Sequence, residues 1–122
     1  MSYYERLTIY KTAMDLAVVM DKEVRTFSRA HKYSLGLEIK GITLDILRLI
    51  AQANNQNDRL QKLVVLCIKV EELKILCNLG KEVKAFNSFK QFMLIIEQVM
   101  NLMRQAEGWR RSILGQNSNT IK

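Results

Sequence analysis

Lys22, Arg25, Arg29 and Lys32 follow one another at spacings of 3, 4 and 3 residues. On a helix that extends to Lys32, this spacing sets all four on one face. Lys62 and Lys69 are seven residues apart, with Arg59 on the same side. Arg104 and Arg111 repeat that seven-residue interval. Lines of lysine and arginine can follow a phosphate backbone without reading bases. Such lines also serve as the solvated face of a helical bundle, which is their commoner use. These residues are the candidates for contact with RNA or DNA. Catalytic sets are thin by comparison. His31 is the single histidine, so the Glu-x-x-His pairs of di-iron bundles cannot form. Cys67 and Cys77 by themselves do not make a zinc site. Neither G-x-x-x-x-G-K-[ST] nor G-x-G-x-x-G occurs. The expectation is a non-enzymatic protein with no catalytic residue, metal or cofactor.

Helices must position these cations. The chain has 122 residues, no proline and five glycines. Sandwiches and barrels draw on both residues for their turns, so long helices with short links are expected. The first helix is predicted over about 7–29, with Tyr10, Met14, Ala17, Val24 and Phe27 at helical spacing. The second runs over about 35–53, with a heptad seam of Leu35, Ile39, Ile42, Ile46, Leu49 and Ala53. The third runs over about 58–79, with Asp58 as its cap and Gly80 suited to the left-handed position past its end. The fourth runs over about 91–113, opened by a Ser88/Gln91 capping box. Gly41 and Gly108 fall inside predicted helices, and close helix approach would account for them. Short links at about 30–34, 54–57 and 80–88 imply antiparallel neighbours. The fold class expected is all-α, an up-down-up-down four-helix bundle over 1–114, followed by a flexible polar tail over 115–122.

The apolar residues exceed what one bundle needs. The fourth helix has a seam of Phe89, Phe92, Ile96, Val99, Met103 and Ala106. A second line, Ile95, Leu102 and Trp109, lies beside it. The second helix has its own extra line, including Leu37 and Leu44. Exposed apolar lines mark interaction surfaces, so Leu37, Leu44, Ile95, Leu102 and Trp109 are the oligomer-interface candidates. Charge supports an anionic partner: 19 Lys and Arg against 12 Asp and Glu leave +7. No run of about 20 apolar residues suits a membrane span. The first residues lack the apolar core of a secretory leader. Cys67 and Cys77, on one helix, are too far apart for a disulfide and read as buried thiols in a reducing compartment. A cytoplasmic protein that does not enter membranes is expected.

Several stretches resemble a known family. Lys32-Tyr33-Ser34-Leu35-Gly36-Leu37-Glu38-Ile39 resembles the start of the second helix in proteins encoded by intervening sequences of 23S ribosomal RNA genes. Leu47-Arg48-Leu49-Ile50-Ala51-Gln52-Ala53-Asn54-Asn55 is similar to the accessory variability determinant (Avd) proteins of diversity-generating retroelements. Glu71-Glu72-Leu73-Lys74-Ile75-Leu76, then Lys81 to Phe89, and Arg104-Gln105-Ala106-Glu107-Gly108-Trp109 point the same way. The resemblance implies a barrel-shaped homopentamer with a basic surface. It also implies binding of RNA or DNA and association with a reverse transcriptase, without catalysis. A looser likeness links Arg25 and His31, five residues intervening, to the Arg-x5-His motif of HEPN ribonucleases. Thr26 follows the arginine where that family favours Asn, Asp or His, and the motif falls at the end of the first helix. A scaffold that binds only protein is the remaining alternative.

Overall fold

The computed structural model describes the backbone of residues 3–53 and 56–121, and the side chains of 6–53 and 57–115. Asn54 and Asn55, part of the expected second link, lie outside the described residues, as do Met1, Ser2 and Lys122. The described chain is all-α. Its helices are α1 (Tyr3–Arg25), α2 (Arg29–Lys32), α3 (Leu35–Gln52), α4 (Arg59–Glu82) and α5 (Phe89–Ile121), with a 3-10 turn at Gln56–Asp58. The backbone of α5 continues past 114, into the stretch expected as a tail. No helix is long and apolar enough to cross a membrane, among the described residues.

The four long helices close into a ring. α1 packs on α3 and α5, and α4 packs on α3 and α5. Cross-helix pairs set their directions. Lys62 and Lys69 of α4 meet Gln52 and Asp45 of α3, so rising numbers on one helix meet falling numbers on the other. Cys67 of α4 lies beside Glu107 of α5, and Lys81 lies over the Phe92 ring. Both neighbouring pairs are therefore antiparallel.

The buried line on each helix has the 3-4 rhythm of a core seam, in a different phase from the expected one on two helices. On α1 the core takes Ile9, Ala13, Leu16, Met20, Val24 and, beyond the helix, Phe27. Tyr10 and Met14 are turned outward. On α5 it takes Phe92, Ile95, Val99, Leu102, Ala106, Trp109 and Ile113. Ile95, Leu102 and Trp109 are therefore corrected from oligomer-interface candidates to core residues, at 0%, 0% and 2% exposure. Two adjacent apolar lines run along that helix, so spacing cannot choose which line faces inward. Contact with α1 and α4 chooses it. Leu37 and Leu44 do face outward, at 57% and 47%. Outward apolar residues also include Ile68, Ile75 and Leu79 on α4, and Leu7 and Val18 on α1.

Two glycines carry the close approaches, and they are not Gly41 and Gly108. A Cβ on Gly36 would stand 2.7 Å from Val24 Cγ1, where α3 crosses α1. A Cβ on Gly80 would stand 2.7 Å from Phe86 Cε2. Gly41 and Gly108 have no neighbour within 4 Å of that position. Gly80 is not the left-handed cap expected of it, because α4 runs on to Glu82. Lys84 takes the left-handed conformation instead, with φ 59°. Its N–H donates to Lys81 O at 3.1 Å, and the Ala85 N–H donates to Gly80 O at 2.8 Å. These two bonds are those of a Schellman motif, with lysine where glycine is usual. The Ser88 cap holds: its Oγ accepts the Gln91 N–H at 3.0 Å. Asp58 precedes α4 but makes no side-chain cap bond, its carboxylate pairing with Lys62 at 3.5 Å.

Candidate nucleic-acid interface

The line Lys22, Arg25, Arg29 and Lys32 does not share one helical face. α1 stops at Arg25, and α2 begins at Arg29. Phe27 lies within the break. It turns into the core, 5% exposed, and its ring meets Phe86 edge-on at 5.5 Å. Thr26 closes α1 by donating its hydroxyl to Glu23 O at 2.6 Å. Ser28 opens α2, its Oγ accepting the His31 N–H at 3.4 Å. The four cations therefore follow a corner between α1 and α2.

That corner belongs to one end of the bundle. The end of α1, all of α2, the start of α3, the end of α4 and the start of α5 meet there. Val24 touches Gly36 in α3, Gly80 in α4 faces Leu35 and Phe86, and Glu23 bonds the chain before α5. Lys22, Arg25, Arg29, Lys81, Lys84 and Lys90 are gathered at this end, with Lys32 half-buried among them. Lys22, Arg29, Lys32, Lys84 and Lys90 form no ion pair among the described residues. Arg25 pairs with Asp21 at 3.0 Å, and Lys81 with Glu82 at 3.5 Å. The acids here are largely committed. Glu23 is 3% exposed and accepts from Asn87 N at 2.9 Å and Gln91 Nε2 at 3.4 Å. Asp21 holds both Arg25 and Lys40.

The other candidates divide. Arg59, Lys62 and Lys69 are half-buried and serve the bundle itself. Arg59 Nε donates to Ala53 O at 2.8 Å, bonding the carbonyl that closes α3. Lys62 bridges Asp58 and Gln52, and Lys69 bridges Asp45 of α3 and Glu72. Cations so engaged bring less free charge to a phosphate. Arg104 and Arg111 are exposed on α5, away from the basic end. Their neighbour Arg110 binds Glu107 at 2.8 Å, and that bond lowers the Glu107 carboxyl from its ordinary value.

Lys81, Lys84 and Lys90 escaped the spacing pattern because a turn, not a helical repeat, brings them to the others. Only the basic composition of 81–90 signals them. His31 and Arg25 stand apart in their contacts. Arg25 is held by Asp21, while His31 lines a cleft with Glu38, Leu76 and Leu79. Both thiols are free and buried. Burial pushes Cys67 up to about 11, with the Glu107 charge adding to the effect, and Cys77 up to about 12. No family model matches this chain, and no curated protein does.

Proposed function

We propose that this protein is a non-catalytic, nucleic-acid-binding accessory subunit. It works as a homo-oligomer beside a reverse transcriptase, as an Avd protein does in a diversity-generating retroelement. The gathering of unpaired cations at one end of the bundle carries the nucleic-acid reading. A net charge of +7 multiplies with each added copy, which favours binding through many weak phosphate contacts. The outward apolar residues Leu37, Leu44, Ile68 and Ile75 support self-association. The sequence resemblance supports the pentamer, the transcriptase partner and the Avd branch. Two free thiols suit the reducing cytoplasm.

Binding of an RNA and a DNA oligonucleotide across a salt series tests this reading. Affinity should fall steeply with salt and vary little with sequence, each released counterion adding about 0.7 to 0.9 to the log-log slope. Arg29→Glu with Lys32→Glu should weaken binding to all sequences alike and flatten that slope. Arg104→Glu with Arg111→Glu should do less. If the wild-type protein shows no salt-sensitive binding, the protein-only scaffold is the better reading, because the same apolar faces serve it equally.

A further inference from the structure

We propose that a pocket at the α4–α5 turn binds one unpaired nucleotide, its base stacked on Phe89 and its phosphate held by Lys81 and Lys84. This rests on the nucleic-acid reading above and adds to it a preference for single strands. The pocket has a volume of about 260 Å³ and is lined by Lys81, Lys84, Phe86, Ser88, Phe89 and Phe92.

Four observations converge on it. First, Phe89 is 67% exposed at the start of α5, the most exposed of the large apolar residues on that helix, ahead of Met93 at 47% and Leu94 at 48%. Second, Phe89 is the outer end of a ladder of rings. Phe27 meets Phe86 at 5.5 Å, Phe86 meets Phe92 at 5.5 Å, and Phe92 meets Phe89 at 6.0 Å with a tilt of 32°. The inner three rings are buried, so the outermost one is braced from behind while a face stays open. An open, braced aromatic face is what a nucleobase stacks on. Third, the cations are on the same rim. Lys81 Nζ stands 5.4 Å from the Phe92 ring centre, beside the aromatic wall, and its one ion pair is with the largely exposed Glu82 at 3.5 Å, which a phosphate can displace, while Lys84 forms none among the described residues. Fourth, Lys84 holds a left-handed backbone, φ 59°, at the position where a Schellman motif favours glycine. The lysine is kept there against a local conformational preference, a common mark of a functional position.

At the start of α5 the Gln91 N–H donates to Ser88 Oγ, and just ahead of the helix the Asn87 N–H donates to the Glu23 carboxylate. Lys81 and Lys84 supply the positive charge. A base inside a duplex hides both its faces in the stack, so only an unpaired base reaches Phe89. Recognition through a ring face and a phosphate carries little base preference.

Wild-type, Phe89→Ala, Phe89→Tyr and Lys84→Gly proteins would be titrated with a single-stranded oligonucleotide, as RNA and as DNA, and with the matching duplex. Phe89→Ala should weaken single-strand binding about tenfold and leave duplex binding unchanged. Phe89→Tyr should restore it. Lys84→Gly should weaken single-strand binding and reduce the salt slope by about 0.7. Its fold should be retained, because glycine suits that backbone. Phe89 is largely exposed, so helix content by circular dichroism should match the wild type in every variant. Unchanged single-strand affinity in Phe89→Ala, or an equal loss on duplex, overturns the pocket and leaves the phosphate-binding end standing. Competition by polyglutamate that Phe89→Ala abolishes assigns the pocket to an acidic polypeptide and overturns it. Absence of any salt-sensitive wild-type binding overturns both proposals together.

Discussion

The Glu23 carboxylate accepts the Asn87 N–H at 2.9 Å across 64 residues of sequence. A buried acid on α1 thus holds the chain where it turns into α5. The same carboxylate takes the Gln91 amide at 3.4 Å. It is the joint between the two turns that make the basic end.

Glu23→Ala removes the acceptor and leaves the Asn87 N–H without its partner. The expected loss is about 2 kcal/mol of folding stability, as for a charge-assisted bond in a half-buried site. Glu23→Gln should lose less, because its carbonyl still accepts. Urea unfolding of the two variants checks the order, and equal losses would show that charge rather than acceptance matters.

Glycine positions give a test with opposite signs. Gly36→Ala forces a Cβ to within 2.7 Å of Val24 Cγ1 and 3.3 Å of the His31 carbonyl oxygen. Val24 is 3% exposed and has no room to retreat, so a loss of about 1–3 kcal/mol is expected. Gly41→Ala meets open space on an exposed helix face and should gain about 0.5–1 kcal/mol. Thermal melts of the two variants should move in opposite directions.

Burial holds both thiols protonated to higher pH in the fold than in the open chain. Their values rise from 9.0 to about 11 for Cys67 and about 12 for Cys77, so the folded state keeps its protons longer than the unfolded state. Their contribution is complete below pH 9.0 and is lost as pH rises toward those folded values. In native protein at neutral pH, both should resist a thiol-reactive reagent, and both should react in denaturant. Mass spectrometry of partly modified protein should show Cys67 labelled before Cys77, because Cys77 is 0% exposed and Cys67 is 8% exposed.

Leu44→Lys and Leu102→Glu separate assembly from folding. Leu44 is 47% exposed, so a lysine there should leave the helices intact and dissolve an oligomer whose contact includes it. Leu102 is fully buried, and a glutamate there should cost more than about 3 kcal/mol and unfold the single chain. Light scattering with circular dichroism distinguishes the two. A wild-type protein that is already a monomer would rule out the oligomer.

The four long helices were legible in the sequence, because proline is absent and apolar residues recur at three and four, but the short α2 and the extension of α5 to Ile121 were not. The Ser88 cap was legible too, since it depends on near neighbours, and the thiols were legible as apolar members of a core-forming helix. Which line of α5 faces inward was not. Ile95, Leu102 and Trp109 match a seam as well as Ile96 and Met103 do, and only the positions of α1 and α4 decide between them. The break at Phe27 was hidden too: Phe27 keeps the spacing of the α1 core line, so the pattern reads as an unbroken helix, and its contact with Phe86 comes from another turn. The sequence by itself determined that the cations are many and that helices carry them. The tertiary structure alone decided that the turns carrying Arg29 and Lys32 and those carrying Lys81, Lys84 and Lys90 share one end of the bundle. Helical spacing reports only neighbours on the same helix, whereas these come from two turns joined by Glu23 and Asn87.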